Sequence, residues 1–73
     1  MDMHEKALNI IHELREAANW TLRQLAEEAD VSEQTAFRWD HGIVKPNRTN
    51  MEILAKIFHI SLNELRARLN QGA

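Results

Sequence analysis

Apolar residues recur along most of this chain at intervals of three and four positions, a pattern typical of amphipathic α-helices. One such stripe consists of Leu8, Ile11, Leu14 and Ala18, and the next of Leu22, Leu25, Ala26 and Ala29. No segment shows the strict alternation of a half-buried strand. The pattern predicts five helices, at about 3–18, 22–29, 33–41, 50–58 and 62–69, packed as a single all-α domain over residues 1–73.

Residues with capping chemistry support these boundaries. Thr21 is followed three positions later by Gln24, and Ser61 by Glu64, the spacing of a capping box. Ser32 is the expected N-cap of the third helix. For the first helix we expect Asp2 as the cap, and for the fourth either Thr49 or Asn50. Gly42 can end the third helix in a left-handed conformation, Asn19 can end the first in the same way, and Pro46 blocks continuation.

Residues 21–42, with the sequence TLRQLAEEADVSEQTAFRWDHG, are the most informative segment. They are predicted to form two short helices joined at Asp30-Val31-Ser32, which is the spacing of a helix-turn-helix. Ala36 and Trp39 should point into the core, since they share the inward face of the second of these helices. The outward face then carries Glu33, Gln34, Phe37, Arg38 and His41. Double-stranded DNA is therefore the first partner to consider.

Residues 14–65 as a whole resemble the lambda-repressor-like, Xre/Cro class of bacterial and phage helix-turn-helix regulators. The resemblance rests on an ordered set: Leu14-Arg15, Thr21 with Leu25-Ala26, Val31-Ser32, Thr35 with Arg38, Asp40-x-Gly42, Pro46, Leu54-Ala55, and Ile60-Ser61-Leu62 with Leu65. It implies a compact five-helix domain that binds a pseudo-palindromic operator as a homodimer, with helix 33–41 in the major groove. Asn19, Asp30 and His59 stand where this family usually has glycine, but these residue types tolerate positive φ better than most.

The outward row predicts which residues read bases. Gln34 can bond adenine and Arg38 can bond guanine, each through two hydrogen bonds in the major groove. Glu33 can accept from cytosine, or it can simply favour the N-terminus of its helix through its charge. Phe37 can contact thymine methyl groups, pack on a neighbouring side chain or form a surface for a protein partner.

Phosphate contacts are expected from the start of the second helix and from the loop after the third. Helix N-termini suit anions, and the resemblance implies that the loop follows the DNA backbone. The predicted residues are Thr21, Leu22, Arg23, His41, Lys45, Asn47, Arg48, Thr49 and Asn50. For the three basic residues among them, a solvated surface charge is the alternative interpretation. The resemblance also implies a dimer contact through the last helix, for which Leu65 and Leu69 are the candidates.

Composition modifies this picture only slightly. The net charge of −2 is unusual for a DNA-binding domain. The charge is uneven, however: residues 1–30 hold three basic and seven acidic residues, a net of −4, and residues 31–73 hold six and four, a net of +2. The basic half contains the proposed reading helix. The absence of cysteine favours an intracellular setting, and without a long apolar run we expect a cytoplasmic protein with no membrane contact.

Other chemistries find little support in the sequence. No two histidines have the i, i+4 spacing of a helical zinc site, and no nucleophile–base pair or phosphate loop occurs. We expect no metal, no cofactor, no small-molecule ligand and no enzymatic activity. The leading hypothesis is a small sequence-specific repressor from a prophage, mobile element or restriction system. The alternatives are the antitoxin of a toxin–antitoxin pair, and a protein-interaction module that kept the fold and lost DNA binding.

Overall fold

A computed structural model describes residues 10–71, and five helices make up most of this span. They are α1 (Ile10–Ala17), α2 (Leu22–Ala29), α3 (Glu33–Asp40), α4 (Arg48–Phe58) and α5 (Leu62–Gln71). No strand occurs within residues 10–71. The predicted all-α, five-helix fold is therefore confirmed. Asp2 and the predicted first two turns of the first helix lie outside the described residues.

The helices begin largely where the capping residues predicted. The Thr21 hydroxyl accepts a hydrogen bond from the Gln24 amide at 3.1 Å, and the Thr21 amide donates to the Gln24 side chain at 2.8 Å, which completes the capping box. The Ser32 hydroxyl accepts from the Thr35 amide at 3.0 Å. Ser61 accepts from the Glu64 amide at the same distance. Each bond satisfies an amide that the first turn of a helix leaves without a backbone partner.

The start of α4 differs from the prediction. The cap is Asn47, whose side chain accepts from the Asn50 amide at 2.9 Å, so Thr49 and Asn50 belong to the first helical turn. The expectation was wrong because it placed the start next to the first apolar residue, Met51. Here the polar first turn faces solvent and carries no hydrophobic pattern. The other differences are small: α1 ends at Ala17, α3 ends at Asp40, and α5 continues to Gln71.

Four helices end with the same backbone motif. Asn19, Asp30, Gly42 and His59 all have positive φ, between 60° and 71°. At each end the following amide bonds the carbonyl five residues before it, in the pairs Trp20–Arg15, Val31–Ala26, Ile43–Arg38 and Ile60–Ala55. This is the Schellman arrangement, which satisfies the carbonyls at a helix C-terminus. The three non-glycine residues that replace the family's usual glycines thus adopt the expected left-handed conformation.

The core lies where all five helices meet. α1 packs on α3 and α5, α4 packs on α2 and α5, and α2 contacts α3 directly. Its buried members include Ile11, Leu25, Ala36, Trp39, Leu54 and Leu65. Trp39 points inward as predicted. At the edge of the core the rings of Trp20 and Phe58 lie 5.2 Å apart, so the turn before α2 is packed against the end of α4.

Leu65 and Leu69 belong to this core. Their exposed fractions are 0% and 4%, which leaves almost no side-chain surface for a partner. The dimer contact expected of them is therefore unavailable without unpacking α5. Spacing alone could not show this, because an apolar stripe serves a core and an interface equally well. Among the described helices, none is long and apolar enough to cross a membrane.

The cap of α4 gives a first testable prediction. Replacing Asn47 with alanine should lower the free energy of unfolding by about 1 kcal/mol, since the Asn50 amide loses its acceptor. Thr49→Ala, two residues further on and inside the first turn, is the matched control and should change stability by less than about 0.5 kcal/mol. Urea unfolding followed by circular dichroism measures both. A larger loss at Thr49 than at Asn47 would contradict this helix start.

Candidate nucleic-acid interface

The outward face of α3 carries the row predicted from the sequence. The side chains of Glu33, Gln34, Phe37 and Arg38 are exposed, and His41 follows at the end of the helix, half-buried. Gln34, Phe37 and His41 are spaced three and four positions apart, so they lie on one side of the helix. Within residues 10–71, no ion pair or side-chain hydrogen bond engages Gln34 or Arg38. Both side chains are therefore available to a partner.

Phe37 packs on a neighbour within this face. Its ring stacks on the His41 imidazole, with centroids 4.1 Å apart and planes inclined by 27°. The imidazole Nδ1 lies 3.1 Å from the backbone carbonyl of Phe37. Phe37 nevertheless remains 42% exposed, one of three large apolar side chains among the described residues that are this open. The stack holds the ring in place and leaves apolar surface facing outward.

α2, which precedes α3 and packs against it, begins after the Thr21 cap. Its capping box uses the Thr21 hydroxyl, the Thr21 amide and the Gln24 amide. Among the described residues, the next two amides, of Leu22 and Arg23, have no acceptor. Two unpaired amides at a helix N-terminus can bind an anion. The Arg23 side chain is exposed and lies 3.5 Å from Glu27, in a surface pair too weak to hold it against a phosphate.

The loop and the start of α4 contain the remaining predicted phosphate contacts, and most already have a protein partner. Lys45 donates to the Asn70 side chain at 3.3 Å, and Arg48 lies 3.4 Å from Glu52. The Asn47 side chain is used as the helix cap. Thr49 is exposed and Asn50 is half-buried. The exposed pairs of Lys45 and Arg48 can exchange their partners for a phosphate at small cost.

A buried carboxylate lies behind the outward row, and sequence analysis did not single it out as a structural element. Asp40, the last residue of α3, is 0% exposed. Its Oδ1 accepts from Arg15 Nε at 2.7 Å, and its Oδ2 lies 3.0 Å from His12 Nδ1. A carboxylate only accepts, so His12 donates to Asp40 in the form that carries a proton on Nδ1. The same Nδ1 lies 3.3 Å from Arg15 Nη2. We refer to Asp40, Arg15 and His12 as the Asp40 cluster.

Arg15 connects this cluster to the second predicted DNA-contact region. Its Nη1 donates to the backbone carbonyl of Trp20 at 2.8 Å, directly before the Thr21 cap of α2. One guanidinium therefore bonds both the end of α3 and the start of α2. The planar guanidinium suits this role, because its donors are held in a rigid arrangement. The Asp40 cluster fixes the end of α3 relative to the first turn of α2.

Helical periodicity in the sequence indicates that Asp40 is partly buried, although not which residues bind it. Asp40 lies four positions after Ala36 and next to Trp39, so the periodicity that places those two inward also places Asp40 at the edge of the core. A carboxylate there needs a basic partner, because a buried unpaired charge is costly. Arg15 and Asp40 entered the sequence analysis only as matches to a family pattern. The partner could not be deduced, since it lies 25 residues away on another helix.

The surroundings of Asp40 shift its pKa in opposing directions. Burial raises the pKa of this carboxyl, but hydrogen bonds from Arg15 and His12 and the positive charge of Arg15 lower it by more in sum. The net result is a pKa below the ordinary value of 3.8. Asp40 is therefore ionised near neutral pH. Over residues 10–71, no group of three or more His, Cys, Asp or Glu side chains is arranged to hold a metal ion.

Two consecutive short helices that pack against each other, joined by a three-residue turn, together define a helix-turn-helix domain. A model of the family described as helix-turn-helix matches residues 11–65, three quarters of the chain. The chain belongs to this family, in its Xre or lambda-repressor-like branch. The resemblance drawn from the sequence is thereby confirmed.

One relative is the HTH-type transcriptional activator BcrR of Enterococcus faecalis. It is 32% identical to this chain over 65 residues, which cover 89% of the chain and 30% of BcrR. The chain thus spans about a third of the length of this relative. No solved structure was found to match the chain significantly.

The Asp40 cluster predicts a large difference between two arginines. Arg15→Met should lower the free energy of unfolding by about 3 to 5 kcal/mol, because a buried carboxylate loses its main partner. Arg23→Met, at an exposed arginine paired only with Glu27, should cost less than about 0.5 kcal/mol. Urea unfolding near neutral pH measures both. Adding Asp40→Leu to Arg15→Met removes the stranded charge and should recover part of the loss; similar losses for the two single variants would refute a buried pair.

The lowered pKa of Asp40 predicts an acid-sensitive stability. The ionised carboxylate stabilises the fold above its ordinary pKa of 3.8, and this contribution is lost as pH falls through the lower folded-state pKa. Asp40→Asn removes this contribution, so its free energy of unfolding should fall less steeply with acid than that of the wild type. Glu28→Gln, at an exposed position of α2, should keep the wild-type slope. Urea midpoints measured from pH 6 to pH 2.5 test this, and parallel curves for wild type and Asp40→Asn would contradict it.

Proposed function

We propose that this chain is a sequence-specific, double-stranded DNA-binding transcriptional regulator that inserts α3 into the major groove. The observation that carries the proposal is the outward row of α3, in which Gln34 and Arg38 are exposed and have no side-chain partner within residues 10–71. Membership of the helix-turn-helix family supports the same reading. A helix of this kind reads bases with its outward side chains while the preceding helix contacts the backbone.

Base reading is assigned to Gln34 and Arg38 in the first place. These two side chains lie one turn apart. The Gln34 amide can donate to adenine N7 and accept from N6, and the Arg38 guanidinium can donate to guanine O6 and N7. Glu33 is exposed at the first position of α3, where it suits cytosine N4 but also repels nearby phosphates. Phe37 presents an open ring to the methyl groups of thymine. The proposed site is therefore partly apolar and selective for more than one base type.

Phosphate binding is assigned to two regions on either side of this row. The free amides of Leu22 and Arg23, next to the Thr21 cap, hold one phosphate, and the Arg23 side chain can supplement them. Lys45, Asn47, Arg48, Thr49 and Asn50 follow the backbone after α3, and His41 lies between the two regions. Because these contacts are ionic or made by amides, affinity should fall as salt rises.

We propose a homodimer on a pseudo-palindromic operator, although not through the residues first expected. With Leu65 and Leu69 buried, the two most open large apolar side chains of the described chain are those of Ile43 and Val44, at 62% and 47% exposure. They directly follow the reading helix. Two such residues give a small contact, far from the roughly 1,600 Å² of a standard stable interface, so pairing should depend on DNA.

We further propose that the regulator acts in the cytoplasm by repression. Repression needs only occupancy of a promoter, whereas activation also needs a contact with the transcription machinery. BcrR is named as an activator. A promoter–reporter assay in the presence and absence of the protein therefore tests directly whether this chain represses or activates.

A protein-interaction role is the second candidate, because Phe37 in α3 and Ile43 and Val44 in the turn after it all expose apolar surface. Large exposed apolar side chains mark protein interfaces when they are grouped. If this role is correct, Phe37→Ala should abolish activity in cells while Gln34→Ala combined with Arg38→Ala leaves it intact. The DNA-reading proposal instead expects the double variant to lose more activity than Phe37→Ala.

The proposal predicts two kinds of binding defect. On a duplex enriched by selection from random DNA, Gln34→Ala and Arg38→Ala should each lose about 1 to 3 kcal/mol of affinity and relax specificity at one base pair. Arg48→Ala should weaken binding to selected and scrambled duplexes alike and reduce the salt slope by about one. Fluorescence anisotropy at two or more salt concentrations measures both effects.

Arg66→Ala, at an exposed arginine of α5, is the matched control and should bind like the wild type. Failure of the wild type to bind any duplex at low salt would overturn the proposed function. Binding that ignores salt would do the same, because it could not involve phosphates.

A further inference from the structure

The contacts of His41 determine which of its two ring nitrogens carries a proton. His41 Nδ1 lies 3.1 Å from the Phe37 carbonyl and 3.6 Å from Asp40 Oδ2. Both oxygens can only accept, and Asp40 is ionised near neutral pH. Nδ1 therefore carries a proton whether the imidazole is neutral or charged. The stack on Phe37 keeps the ring in this orientation.

The fixed proton on Nδ1 decides what the opposite nitrogen can do. In the neutral imidazole Nε2 is then an acceptor, and a phosphate, which also accepts, gains nothing from it. When His41 is protonated, Nε2 becomes a charged donor that can bond a phosphate oxygen strongly. Histidine is the side chain that makes this change near physiological pH. The same residue therefore disfavours or favours a phosphate according to pH.

His41 lies at the end of α3 where we expect a phosphate of the bound DNA. It lies seven positions after Gln34 on the same side of α3, about 10 Å further along the helix axis. The N-terminal part of a reading helix enters the groove, so its C-terminal end lies towards the backbone. The His41 side chain is 38% exposed, so it is open to a ligand on this face.

We propose that DNA binding by this chain is linked to protonation of His41, which turns its Nε2 into a phosphate donor at the end of the reading helix. This inference rests on the proposed function and specifies how the same site is regulated. Operator affinity rises as pH falls through the range in which imidazole titrates. Phe37 acts as a positioning residue, since its ring and its carbonyl hold the imidazole in the required orientation.

Other charged groups near His41 define the controls. Asp40 faces it from the end of α3, and Arg15 and His12 of α1 share that carboxylate. Asp40 keeps its charge between pH 6 and pH 8, because its pKa is lowered. His12, whose Nε2 lies 3.6 Å from Glu16, is the other histidine beside this carboxylate and needs its own variant. His59, in the left-handed turn after α4, is the matched distant histidine.

The test measures affinity by anisotropy on a fluorescein-labelled duplex enriched by selection with this protein, from pH 6 to pH 8 at several salt concentrations. The wild type should bind roughly tenfold more tightly at pH 6, the change expected when one charge-assisted hydrogen bond is gained. Its salt slope should also steepen by about 0.9 at pH 6, as expected for one additional neutralised phosphate. A purely structural role of His41 would not move the salt slope.

His41→Gln keeps a polar donor that does not titrate, so both pH effects should disappear. His12→Gln and His59→Asn should retain them, with asparagine chosen because it tolerates the left-handed turn. Phe37→Leu should reduce the pH effect, since it removes the stacked ring. Specific binding with a flat pH profile, or a profile that survives in His41→Gln, overturns the inference and leaves the proposed function intact. No binding at any pH overturns both.

Discussion

The ion pair between Arg15 and Asp40 is the constraint on which the rest of the site depends. Asp40 ends α3 inside the core, and Arg15 of α1 donates a hydrogen bond to it at 2.7 Å. The same guanidinium bonds the Trp20 carbonyl just before α2. A buried pair contributes little net stability compared with apolar packing, but it accepts only one geometry. Its value here lies in orientation: it fixes the end of α3 relative to the start of α2.

This constraint accounts for the arrangement of the surface that we propose to face DNA. The outward row of α3 and the free amides of Leu22 and Arg23 lie on separate helices joined by a turn of three residues. Bound phosphates and bases are held at fixed separations, so the two regions have to keep their spacing. Arg15 joins the two helices on the core side, because it bonds both Asp40 at the end of α3 and the Trp20 carbonyl before α2. Trp39 fills the core next to Asp40. His41 Nδ1 lies 3.6 Å from the same carboxylate, so the buried charge is close to the outward face of α3 as well as to α1.

Much of the candidate site was predictable because it depends on local spacing. Gln34, Phe37 and Arg38 were placed outward by helical periodicity alone, and the structure leaves them exposed. The partners of these residues were not predictable. The Phe37–His41 stack requires a particular rotamer for each ring, and the Lys45–Asn70 contact joins residues on different elements. The start of α4 at Asn47 was missed because a solvated first turn has no hydrophobic pattern to mark it.

The sequence by itself determined the five helices, most of their caps and their left-handed ends, because these features are decided by residues within one or two turns of each other. Only the tertiary structure decided what each inward stripe covers. It assigned Leu65 and Leu69 to the core and left Ile43 and Val44 exposed. It also joined Asp40 to Arg15 and His12, which are 25 and 28 positions away along the chain. The physical reason is that periodicity records that a face is buried, whereas the partner of a buried group is set by how separate helices pack.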